Sequence, residues 1–240
     1  MRRRKSVGKV SFSIALAALL IASSLGTSAL ARSRHHSHSD HHSDAGRGAH
    51  AQRGIDVSHY QGAINWRAVA RDHVSFAYLK ATEGVDGRDS RFARNWRGAH
   101  RAGLSVGAYH FFNFCRPGRA QAANFLAVTP RRTGALPPAV DLEPAGRCTA
   151  HLKGAVVRRE VSAYLKVVEA REHRRAVLYV TPRFYSAYRR YLPDRAIWRR
   201  SIAAKPQGRS WAVWQYRARG HVAGIATKVD LDMLGPGRRA

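Results

Sequence analysis

From residue 54 onward the chain alternates short apolar runs with amphipathic stretches, and this alternation constrains the fold more than any other feature. Runs at 55–57, 76–81, 105–112, 139–142 and 176–180 have the length and branched or aromatic content of strands. Each is followed by a helical pattern, at 64–72, 92–102, 119–128, 154–174 and 184–191. Three further strand-like runs, at 197–198, 211–216 and 229–231, are joined by loops instead. Strands alternating with helices at this spacing mean βαβ units and a parallel sheet. About eight strands in fewer than 200 residues suggest an α/β, TIM-like barrel whose last helices have been lost. An open doubly wound sheet is the alternative. It would hold its ligand at a switch point, often behind a Gly-rich turn, and no G-x-G-x-x-G follows the first strand.

In a β/α barrel, side chains from several strand ends converge on the C-terminal rim. Asp56 ends the first strand, Asp141 and Glu143 end the fourth, and Asp230 and Asp232 lie in the eighth. Asp141 and Glu143 flank one apolar residue, so on a strand both point the same way, with Cα atoms about 6–7 Å apart. Two acids on one face resist ionising together, which raises one pKa and suits a neutral general acid beside a charged partner. A bare D-x-E is more often an edge strand with two solvated acids. Here acids are scarce, 15 against 42 Lys and Arg, and Pro144 ends the strand at once, which favours a site.

Aromatic residues take comparable positions: Tyr60, Tyr109, Tyr179, Trp198 and Tyr216. Carboxylates ringed by aromatic faces suit a glycosidase cleft, where acids work on the glycosidic oxygen. Lys80, at the end of the second strand, could pair with Asp56, donate to substrate or form a plain structural ion pair. His59 and His110 could be bases or ligands, or structural. No G-x-S-x-G, H-E-x-x-H, Walker A or C-x-x-C occurs, and neither a metal nor a cofactor is expected.

The first residues read as a separate segment. Arg2, Arg3, Arg4 and Lys5 precede an apolar stretch at 12–25, and Ala29-Leu30-Ala31 gives an A-x-A pattern. Residues 1–31 are expected to be a signal peptide cut after Ala31, with an uncleaved anchor as the alternative. Residues 32–52 form a His- and Ser-rich linker too polar to pack; a loose metal role for its histidines is the lesser reading. The catalytic barrel is expected over 53–240. The chain is then secreted, periplasmic or on the cell envelope, with no stable membrane span after cleavage.

Loss of residues 1–31 would lower the formal net charge from +27 to +22. Such charge attracts polyanions. No zinc-finger spacing or RRM signature appears, so anionic cell-envelope polymers are the expected partners rather than nucleic acid. Cys115 and Cys148, an even count in an exported chain, favour one disulfide.

Six segments, in order, carry a further signal: Gly54–Gly62 (GIDVSHYQG), Lys80–Gly84 (KATEG), Gly107–Phe111 (GAYHF), Val140–Glu143 (VDLE), Trp214-Gln215-Tyr216, and Val229–Asp232 (VDLD). Together they resemble the glycoside hydrolase family 25 lysozymes, the Chalaropsis-type N-acetylmuramidases. The resemblance implies a (β/α)5(β)3 barrel that hydrolyses the β-1,4 bond between N-acetylmuramic acid and N-acetylglucosamine in peptidoglycan glycan strands, with retention. Carried over by position, Glu143 matches the general acid/base and Asp141 the acid assisting at the reacting sugar. Asp56 and Asp230 match the two remaining cleft aspartates. Tyr60, Lys80, Tyr109, Tyr179, Trp198, Trp214 and Tyr216 are expected to bind substrate, Tyr179 as a hydrogen-bonding group. Whether Asp141 attacks the sugar or orients its N-acetyl group is left open, with substrate assistance favoured. Asn65 stands where the family usually has Asp, at a helix start where either residue caps. Residues 196–200 lack the usual W-I-A run, and Leu234 replaces a common Phe. A monomer is expected.

Overall fold

Five strand–helix units come first and three strands complete the structure. The computed structural model describes residues 52–130, 136–144, 149, 151–207 and 211–235. The expected signal peptide, all but the last residue of the expected linker, and Cys148 lie outside these. In chain order the elements are β1 (Arg53–Val57), α1 (Trp66–Arg71), β2 (Phe76–Glu83), β3 (Gly87–Arg88), α2 (Phe92–Arg101), β4 (Ser105–Phe111) and α3 (Gly118–Val128). They continue with β5 (Ala139–Leu142), α4 (Gly154–Glu172), β6 (Val177–Val180), α5 (Pro182–Tyr188), β7 (Ala196–Arg200), β8 (Trp211–Gly220) and β9 (Val229–Leu234).

Eight of the strands close into a ring, because β1 pairs with β2 on one side and with β9 on the other. That closure excludes the open sheet and leaves the (β/α)5(β)3 barrel. The parallel expectation holds for seven strands. β9 runs antiparallel to both neighbours, since the 221–228 connection is shorter than the dozen or so residues a parallel crossover needs. The short β3, absent from the sequence expectation, forms a hairpin with the end of β2 and lies outside the ring.

Local sequence explains where the helices begin. The Asn65 side chain accepts the Ala68 N–H at 3.2 Å, so Asn caps α1 as Asp would. Thr181 caps α5 and Pro182 takes its first position, so this helix starts two residues before the apolar pattern does. On α4, Val157, Val161, Tyr164, Leu165 and Val168 are buried at helical spacing, the stripe that lays a helix on a sheet.

Alternation along the strands makes two cores. Ile55, Val57, Leu79, Val106, Val140, Leu178 and Leu231 face outward and pack with the helices. Phe76, Tyr78, Tyr109, Ala139, Val177, Tyr179, Trp198 and Val213 fill the barrel itself. The interior rings fit because their neighbours lack side chains. A Cβ on Gly54 would sit 2.2 Å from the Phe76 ring, and one on Gly107 2.5 Å from Tyr78. The lower barrel is therefore a plug of aromatic rings, and polar side chains follow only above it.

Candidate active site

The inward positions nearest the rim carry the acids. Asp56 on β1, Asp141 and Glu143 on and just beyond β5, and Asp230 on β9 line one cavity of about 220 Å³. β9 contributes Asp230 from its N-terminal end, which its antiparallel course brings to the rim opposite Asp56. Tyr60, Lys80, Tyr109, Tyr179 and Trp198 line the same cavity.

Each contributor is held by its surroundings. Tyr60, 74% exposed, stands on a 3-10 turn fixed by a capping box. The Ser58 N–H donates to Gln61 at 2.9 Å and the Tyr60 N–H to the Ser58 hydroxyl at 3.3 Å. Asp89, beside β3, accepts from the His59 backbone and lies 3.0 Å from its ring, tying this turn to the hairpin side. Lys80 does not pair with Asp56. Its ammonium donates to Glu83 at 2.7 Å and sits over the Phe111 ring. Tyr179 donates its hydroxyl proton to Gln215 at 3.0 Å, and Gln215 Nε2 donates to Asp56 Oδ2 at 2.8 Å.

Burial and mutual repulsion set the electrostatics. Desolvation pushes Asp56 up to about 6, with hydrogen bonds from Gln215 and Asp232 restraining the rise. Desolvation, then Asp56, raises Asp230 to about 8. Burial, then the charges of Glu143 and Asp56, lifts Asp141 well above the usual carboxylate range. Burial raises Glu143 too, and Arg200 and Lys80 pull it partly back. All four acids are raised, so protons can be held around this cavity at pH values where ordinary carboxylates have already lost them. One acceptor is left over: Asp141 Oδ1 is buried without a hydrogen-bond partner among the described residues.

Several expected residues stand elsewhere or differently. Trp214 and Tyr216 do not line the cavity. Trp214 donates its indole N–H to the Ser201 carbonyl, and Tyr216 packs against the outer core. The inward residue between them is Gln215, only 2% exposed. Trp198 is the floor of the cavity rather than an open sugar platform, at 2% exposure among Tyr78, Tyr109 and Tyr179. His110 is buried behind the barrel wall, bridging Thr82 and Gln121, and burial lowers it to about 4. Gln215 and Phe111 line the cavity without having been expected there, and Asp232, expected beside Asp230 among the strand-end acids, does not line it. Alternation across 214–216 and 230–232 was the available signal. Among the described residues no group of three or more metal-ligating side chains is arranged to hold an ion.

Acids on strand ends over a plugged barrel occur in many glycosidases, and the sequence comparison decides which. The profile described as Glycosyl hydrolases family 25 matches residues 55–225. The chain belongs to this family. Lysozyme M1 of Streptomyces globisporus is 36% identical to this family 25 chain over 195 residues, 74% of this chain and 65% of the relative. An uncharacterised protein, YegX, of Escherichia coli O6:H1 is 35% identical over 190 residues, 75% of this chain and 68% of the relative. The chain thus spans about two thirds of the length of these relatives, and slightly less for Lysozyme M1. Among solved structures, a family 25 glycosyl hydrolase from Bacillus anthracis superposes with a TM-score of 0.72 at 33% identity, covering 81% of this chain and 96% of that one. A bacterial lysozyme from Streptomyces coelicolor gives 0.67 at 31% identity, covering 78% and 93%. The family 25 barrel of this chain is thus matched over nearly the full length of both solved chains.

Proposed function

We propose that this family 25 chain is an exported lysozyme. It hydrolyses the β-1,4 bond between N-acetylmuramic acid and N-acetylglucosamine in peptidoglycan, with retention. The observation that carries the reading is the cluster of Asp56, Asp141, Glu143 and Asp230, all raised, around an aromatic-floored cavity. Lysozyme M1, as its name states, is a lysozyme.

Glu143 is the general acid. It is partly solvent-facing, raised by burial, and flanked by Arg200 and Lys80, so it can lose and regain a proton during turnover. Protonation of the glycosidic oxygen lets the C1–O bond break. Asp141 supports substrate assistance over direct attack. Its buried, unpartnered Oδ1 lacks a donor, and an acetamido N–H on the reacting sugar supplies one. The acetamido carbonyl oxygen then closes on C1 from the opposite face. Water opens that ring, Glu143 takes its proton, and two inversions give retention. A thiazoline analogue of the ring intermediate should compete with substrate; a covalent glycosyl–Asp141 adduct would instead favour direct attack.

Residues 1–31 direct export and are removed, 32–52 tether, and 53–240 form the catalytic barrel, braced by a Cys115–Cys148 disulfide. The positive charge holds the enzyme on anionic envelope polymers. Digestion of purified peptidoglycan tests the assignment. New reducing ends at N-acetylmuramic acid are expected; ends at N-acetylglucosamine point to a glucosaminidase. Glu143→Gln should lower turnover by about 10²–10⁴-fold with folding intact. Full turnover in that variant refutes the role of Glu143.

A further inference from the structure

Beneath the cavity lies a fifth acid that the proposed mechanism does not use. Asp232 is fully buried on β9, two residues deeper than Asp230, and pairs across to Gly54 on β1 and Gln215 on β8. The Trp198 indole N–H donates to its Oδ1 at 2.9 Å. Its other oxygen, Oδ2, meets no N–H or O–H donor among the described residues. On the paired strand β1, two residues beyond Gly54, the Asp56 carboxyl points into the same interior and shares a side-chain hydrogen bond with that of Asp232. Two carboxyl oxygens can bond only through a proton.

We infer that Asp232 is a positioning residue that keeps its own proton on Oδ2 and donates it to Asp56, so that Asp56 can stay ionised at the cavity floor. One proton leaves neither oxygen of Asp232 without a partner. Asp232 accepts from Trp198 on one oxygen and donates from the other. Asp56 receives that donation beside the one from Gln215, and Gln215 is held in turn by Tyr179. An ionised Asp232 would instead set two negative charges against each other in a dry interior, which is costly. The charged and titratable groups around the pair agree. Asp56, Asp230 and Glu143 disfavour a further negative charge, and Arg200 on β7 is the cation acting on Asp56. Burial, then Asp56, also pushes Asp232 well above the ordinary aspartate range. A protonated carboxyl kept in an apolar pocket as a hydrogen-bond donor is a known device.

The inference rests on the lysozyme reading only where activity is the readout. In the full chain, Asp232→Asn keeps a donor for Asp56 and an acceptor for Trp198, so kcat/KM on peptidoglycan should stay within about threefold. Asp232→Val removes the donor, and the acidic limb of the pH profile should move up by about one to two pH units. Asp232→Asn losing as much activity as Asp232→Val would overturn the inference, because it would mean that the negative charge is required. A carbon-13 NMR titration of labelled aspartates needs no activity. The Asp232 carboxyl should still be protonated when Asp56 has ionised, and an Asp232 signal that ionises before that of Asp56 overturns the inference. This readout also serves if the Val variant does not fold. Failure of the lysozyme reading would show instead as full turnover in Glu143→Gln, which leaves the titration unaffected.

Discussion

Replacing Asp56 by Asn should stabilise the protein increasingly as the pH rises. Asp56 titrates near 6 in the folded chain against an ordinary value of 3.8, because burial penalises its charged form. Below about pH 4 the carboxyl is protonated in both folded and unfolded states, and Asn is a near-isosteric stand-in. Between about pH 4 and 6 the unfolded chain releases the proton freely and the folded chain resists. Stability then falls at about 1.4 kcal/mol per pH unit. Above about 6 both states are ionised and the loss levels off. The rise from 3.8 to about 6 amounts to about 3 kcal/mol; solvent in the open cavity screens part of it, so about 2 kcal/mol is expected.

Urea unfolding followed by tryptophan fluorescence, at pH 4, 5, 6 and 7, measures this directly, and urea avoids the charge screening a salt denaturant would add. The decisive quantity is the difference in unfolding free energy, variant minus wild type, because the remaining titrating groups largely cancel in it. It should rise from near zero at pH 4 to about 2 kcal/mol at pH 7. Loss of the charge at 56 also relieves Asp230 and Asp232, which it raises, so coupling acts in the same direction. A flat difference, or one falling with pH, would refute the claim that burial of this acid is held against a free-energy cost.

Two further outcomes separate surface from core. Tyr60→Ala should leave unfolding free energy within about 0.5 kcal/mol, since the ring is 74% exposed. It should raise KM on peptidoglycan severalfold with kcat little changed; an unchanged KM removes Tyr60 from the substrate surface. Gly107→Ala should cost about 1–3 kcal/mol by urea unfolding, because the new methyl lies 2.5 Å from the Tyr78 ring and 3.0 Å from Leu136. A cost below about 0.5 kcal/mol would mean that the aromatic plug repacks freely.

Much of this was legible in the sequence, and the exceptions share one cause. Runs such as 105–112 announced strands, but with both faces buried they carried no mark of which face turned inward. On β8 the aromatic Trp214 and Tyr216 drew the assignment, and the inward residue is Gln215 between them. The acids of β9 show how strand direction decides chemistry. The expected strand ended at 216, leaving 217–228 as a gap long enough for a crossover, so a parallel last strand was admissible. β8 in fact continues to Gly220, and the chain must turn back. In a parallel strand Asp232 would be nearer the C-terminal rim and Asp230 the deeper of the two. Reversal exchanges them: Asp230 meets the cavity, and Asp232 sinks to where, among the described residues, the Trp198 indole and a second carboxyl meet it. Which aspartate can touch substrate and which must hold a proton is therefore set by the extension of β8, not by either residue's own surroundings in the sequence.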